Sequence, residues 1–154
     1  MSKIAQMPGH LIRRLNQVAV SLFLEEVAKG GYDLTPVQYA ALAELEIAPG
    51  IDQATLAARI AYDRATIGGV VNRLVAKGLV DRDTSSRDRR AKQLSLTEEG
   101  KRVRNDIEPL VEEVQRRILT GLSLGEGEVL VKLLQKAVEA GNEHSRAPLR
   151  SDDE

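Results

Sequence analysis

Between Thr84 and Thr97 the chain reads TSSRDRRAKQLSLT, and Arg87, Arg89, Arg90 and Lys92 fall within six residues of it. Guanidinium forks at that density suit phosphate, and a planar arginine fits the narrow, negative floor of a DNA minor groove. Asp88 and Arg90 are two residues apart, so in an extended segment they point the same way and the carboxylate can hold the guanidinium in register. Arg87 and Arg89 would then face flanking phosphates, with Lys92 on the same rail. A solvated charged loop is the plain alternative, and for an isolated cluster it is the commoner one. The residues that precede this loop decide between the two.

A second set lies upstream. Arg64-Ala65-Thr66 follows an acidic cap candidate, Asp63, and opens an apolar-periodic stretch. In a helix-turn-helix the second helix enters the major groove with its N-terminal residues leading. Arg64 there can read guanine through O6 and N7, and Thr66 can hydrogen-bond or pack on a thymine methyl. Arg73, two turns on, is placed for phosphate. Gln53, opening the preceding short helix, completes the candidate contacts. Gly68 and Gly69 sit inside the helical pattern, where each costs about 1 kcal/mol relative to Ala. Close approach of DNA or of the preceding helix would offset that cost.

The elements that must position these residues are legible from caps and periodicity. Pro8 to Lys29 carries Leu11, Leu15, Val18 and Leu22 at helical spacing, with Ile12, Ala19 and Phe23 beside them. That apolar face is wide enough for a core and a second surface. Thr35-Pro36 with Gln38 is a capping-box start for a second helix. Asp52 caps a short third helix, and Asp63 is expected to cap a fourth that begins at Arg64 and ends before Gly78. LVDRD and AKQLSLT read as paired strands with Leu94 and Leu96 on one face. Thr97 caps a long helix with Pro109 inside it, where a kink is expected. Ser123 and Glu126 open a last helix rich in Leu and Val. The fold expected is mainly α with a small β-hairpin, a winged helix-turn-helix flanked by N- and C-terminal helices. Residues 34–98 form the DNA-binding lobe and residues 8–30 with 99–145 a helical dimerisation lobe. Residues 146–154 read as a disordered acidic tail.

Charge and composition narrow the partners. The net charge is −1 over 154 residues, yet residues 59–104 hold twelve Lys/Arg against six Asp/Glu. A basic middle between acidic ends points to a polyanion. There is no Cys, which excludes disulfide scaffolds and thiol switches, and the two histidines are far apart in sequence. No signal peptide or membrane-length apolar run occurs, so a cytoplasmic setting without membrane contact is the default.

The stretch DRATIGGVVNRLVAKGLVDRDTSSRDRRAKQLSLTEEG, with LTPVQYAAL upstream, resembles the MarR family of bacterial transcriptional regulators. The resemblance extends over residues 11–140, and Asp88-Arg89-Arg90 with LSLTEEG is its most specific part. It implies a homodimer built from the terminal helices, a palindromic double-stranded operator, and repression relieved by a ligand. It also implies that Arg90 enters the minor groove and Asp88 holds it. The opening PGHLIRRLNQ resembles members controlling aromatic-acid breakdown, whose effector is a small aromatic acid or its coenzyme A thioester. A carboxylate effector needs a cation and an apolar slot, for which His10, Arg13, Arg14 and Tyr39 are candidates. Each also has a plain structural reading, as a helix cap, surface ion pair or core residue.

Two other readings compete. An enzyme would need a nucleophile elbow, phosphate loop or zinc-binding HExxH, and none is present. No cofactor, metal site or catalytic residue is expected. The alternative is a winged-helix protein-interaction module without its own operator, against which a cationic wing argues.

Overall fold

The computed structural model describes residues 2–84 and 92–150. After a short 3-10 turn at Lys3–Gln6, the chain forms α1 (Pro8–Lys29), α2 (Pro36–Ile47), α3 (Gln53–Arg59) and α4 (Ile67–Ala76). The hairpin β1 (Val80–Thr84) and β2 (Lys92–Leu96) follows, then α5 (Glu98–Ile118), α6 (Leu124–Gly141) and a 3-10 turn at Asn142–His144. Local signals set most of these limits. Thr35 Oγ1 accepts the Gln38 N–H while Gln38 Oε1 accepts the Thr35 N–H, closing the capping box of α2. Asp52 Oδ1 accepts the Thr55 N–H at 2.7 Å, and Thr97 Oγ1 accepts the Gly100 N–H at 2.9 Å. Gly78 closes α4 at φ 72°, a left-handed conformation that glycine adopts without a Cβ penalty.

β1 and β2 are antiparallel, with Val80 opposite Leu96, Arg82 opposite Leu94 and Thr84 opposite Lys92. A further partner was not foreseen. Ile51 bridges Leu94, accepting its N–H at 2.9 Å, while the Gly50 N–H donates to the Leu94 carbonyl. The loop after α2 thereby pins the base of the hairpin. The main core joins α2, α3, α4, the hairpin and α5 through Leu42, Leu45, Leu56, Ile67, Leu74, Leu94 and Ile107. A smaller cluster, Phe23, Val27 and Val114, seats the C-terminal half of α1 on α5. That junction is also ionic: Arg117 bonds Glu26 at 2.8 Å and Glu25 at 3.2 Å, and Lys29 bonds Glu26 at 3.1 Å.

Some expectations change. α4 begins at Ile67 rather than Arg64, because Asp63 Oδ1 takes the Ala65 N–H and holds residues 64–66 as a turn. Val75 stands off the buried face of α4 and is 37% exposed. Residues 146–150, expected to be part of a frayed tail, lie against α3, held by side-chain and backbone bonds to distant residues that a sequence pattern does not encode. The remaining tail residues, 151–154, lie outside the described residues.

Candidate nucleic-acid interface

The two helices α3 and α4 meet across a tight turn at Ala61 to Thr66. Asp63 organises the second half of that turn. Its Oδ1 accepts the Ala65 N–H at 2.9 Å, and its carbonyl accepts the N–H groups of Thr66 and Ile67 and the Thr66 hydroxyl. Arg64, Ala65 and Thr66 are left exposed in front of α4. Along α4, Ile67, Val70, Val71 and Leu74 are buried, so Gly69, Asn72, Arg73 and Ala76 share the outer face. Arg73 is therefore on the same exposed stripe that continues from the Arg64 turn.

Gln53 lies beside this stripe. A Cβ at Gly68 would sit 3.7 Å from Gln53 Nε2, an ordinary contact, and one at Gly69 would meet nothing within 4 Å. Packing within the chain therefore does not demand glycine at either position. Among the reasons considered from sequence, close approach from outside is the one left for Gly69.

Of the wing candidates, Lys92 is exposed at the start of β2. Arg87, Asp88, Arg89 and Arg90 lie outside the described residues. The described hairpin ends at the pair Thr84 and Lys92, opposite its base at Val80 and Leu96. Arg82 anchors that hairpin to α4 through the Asn72 side chain.

The four effector candidates are not gathered in one chain. Tyr39 is half-buried and packs on Phe23, with ring centroids 6.2 Å apart. Burial raises its phenol pKa above the usual value. His10 lies near the start of α1, where its Nδ1 accepts from Arg13 at 3.4 Å. At ~1.5 Å rise per residue, it is about 20 Å along α1 from Phe23. Arg14 precedes Phe23 by about two and a half turns, which puts the two on opposite sides of the helix. Sequence reasoning missed Tyr32, whose hydroxyl donates to Asp106 at 2.8 Å and ties the loop after α1 to α5. It also missed Arg104, which is half-buried between Glu46 and Glu108. Neither has a local sequence signal, since the partners come from different elements. No cluster of three potential metal ligands occurs among the described residues, and no described helix is long and apolar enough to cross a membrane.

The MarR family model matches residues 32–91. The PcaV transcriptional regulator from Streptomyces coelicolor, solved with its natural ligand, is 35% identical with a TM-score of 0.81, covering 92% of this chain and 98% of its own. The transcriptional repressor NicR from Pseudomonas putida is 29% identical over 89% of this chain and 85% of its own. BpsR from Bordetella bronchiseptica, whose DNA binding is regulated by 6-hydroxynicotinic acid, is 28% identical with a TM-score of 0.80, covering 89% of this chain and 96% of its own.

Proposed function

This chain belongs to the MarR family, whose members are transcriptional regulators rather than enzymes, and on that premise we propose that it is a homodimeric repressor. It binds a palindromic operator and is released by a small aromatic acid or its coenzyme A thioester. The observation that carries this reading is the α3–α4 pair, with Arg64, Ala65 and Thr66 exposed at the reading end and Arg73 on the same stripe. In this reading Arg64 and Thr66 meet bases and Arg73 meets phosphate. The wing supplies Arg90, held by Asp88, to the minor groove, with Arg87, Arg89 and Lys92 on the flanking backbone.

Dimerisation is supported by what α6 lacks. Within the chain it buries only Gly127, while Leu124, Val129, Leu133 and Val138 are 85%, 55%, 58% and 66% exposed. Apolar clefts of about 640 and 400 Å3 lie beside it. Leu11, Ile12 and Val18 on the first part of α1 are bare too. One chain cannot cover both ends, and a second copy covers them by two-fold symmetry. The effector reading rests on the relatives NicR, PcaV and BpsR and on Tyr39 against Phe23. His10 and Arg13 reach such a site only from the second copy, whose first helix would cross near α1. A ligand that binds one dimer geometry better than another changes the spacing of the two reading helices.

The test is selection from random duplexes followed by binding to the enriched site with and without aromatic acids and their thioesters. An enriched palindrome with half-sites about one helical turn apart, released by one of these ligands, is expected. Selection that enriches no palindrome would sink the operator, and release by none of these compounds would sink the effector class.

A further inference from the structure

The segment that follows α6 turns back onto the helix-turn-helix of its own chain. Asn142 clamps the turn: its Nδ2 donates to the Leu149 carbonyl at 3.1 Å and its Oδ1 accepts the Leu149 N–H at 2.9 Å. The Arg150 N–H reaches the Ala58 carbonyl at 3.4 Å. Arg146 pairs with Asp63 at 2.7 Å, on the carboxylate oxygen not used by Ala65. The strap and α3 thereby enclose a cleft of about 500 Å3, lined by Arg59, Arg64, Arg146 and Arg150 with Thr55 and Tyr62.

The ion pairs inside this cleft are unequal. Arg59 is matched by Glu44 at 2.8 Å, and Arg146 by Asp63. Among the described residues, the side chains of Arg64 and Arg150 form no hydrogen bond or ion pair. The Asp52 carboxylate offsets part of the Arg64 charge, and an anion in the cleft would offset the charge of Arg150, whose planar fork matches phosphate oxygens. The cleft also opens at Arg64, the first residue of the reading turn.

We propose that this C-terminal strap is part of the nucleic-acid interface and that Arg150 seats one backbone phosphate per half-site at the cleft, beside Arg64, which keeps its base contact. Arg146 is a positioning residue, which fixes the strap to the Asp63 turn. The strap so joins the end of α6 to the reading end of α4, and it extends the phosphate rail beyond the Asp63 turn. The inference rests on the DNA-binding reading above.

The test uses the full chain and the duplex obtained by selection, with affinity measured across a salt series. Each phosphate contact contributes about 0.9 to the slope of log K against log salt, so Arg150→Ala should lower the slope of a dimer by about 2. Affinity at low salt should fall about tenfold, with the melting temperature unchanged. Arg150→Lys keeps the charge and should keep most of the slope. Arg146→Ala should lower the slope in the same way by freeing the strap. An Arg150→Ala protein that keeps the wild-type slope overturns the proposal. So does a slope that is kept while inorganic phosphate raises the melting temperature of the wild type but not of Arg150→Ala, since the cleft would then take a free anion instead. Wild-type protein that binds no duplex overturns the DNA-binding reading itself, and the strap with it.

Discussion

Gly100, in the first turn of α5, lies against the Leu79 carbonyl, and an added Cβ would come within 2.0 Å of that oxygen. The obstacle is backbone, and the same carbonyl accepts the Thr97 N–H at 3.1 Å, so neither side can give way without loosening the hairpin base. Gly100→Ala should therefore cost about 2–3 kcal/mol, read as a lower melting temperature. Gly69 should behave in the opposite way. Its Cβ position is open, so Gly69→Ala should stabilise the fold by about 1 kcal/mol. If DNA approaches this face closely, the same change should weaken operator binding. A variant that melts higher and binds as tightly as wild type would show that the operator does not crowd Gly69. Asp63 belongs at this scale too, because one carboxylate serves both the Ala65 N–H and Arg146.

At the scale of elements, the sequence was most informative where the cause is local. The caps at Thr35, Asp52, Thr97 and Ser123 each use a side chain and an N–H three residues on, so spacing alone exposes them. The start of α4 was misjudged by three residues because Asp63 can cap a helix or close a turn, and the sequence does not distinguish these. The Ile51–Leu94 bridge and the docking of residues 146–150 join residues far apart in the chain, and they left no periodic trace. The candidate interface divides in the same way. Arg64, Thr66 and Arg73 are candidates from their position at and along the α4 pattern, whereas Arg146 and Arg150 needed the folded chain. The α1–α5 lock is a further tertiary feature and gives a pH prediction. The hydrogen bond from Lys29, with Arg117 opposite, holds the Glu26 carboxyl below its ordinary 4.5. A folded-state value below the unfolded one means that the stabilisation is complete above about 4.5 and is lost as pH falls through the lowered value. Glu26→Gln should melt below wild type at neutral pH, and the gap should close under acid. A gap that is constant down the acid limb would show that the lock is not ionic.

The exposed apolar face of α6 and the proposed DNA face should respond to different solution conditions. α6 makes its exposed apolar face available without supporting the main core, so Leu133→Asp should yield a folded monomer. The substitution counts twice in a symmetric dimer and should weaken association by about 3–6 kcal/mol, measurable by sedimentation. Salt should leave that apolar contact intact and act on the DNA face. In the proposed complex, Arg73, Arg87, Arg89 and Lys92 would give about eight phosphate contacts per dimer, before the strap is added, in a chain whose net charge is only −1. Between 50 and 200 mM salt the affinity should therefore fall by about 10^3 to 10^5. The ion pairs on the described surface are mostly exposed and contribute little to folding, so the melting temperature should hardly move over the same range. Measuring both quantities on the same samples separates the alternatives. Parallel loss of affinity and melting temperature would mean that salt unfolds the protein. Loss of affinity alone means that the basic middle of the chain meets DNA as a phosphate rail.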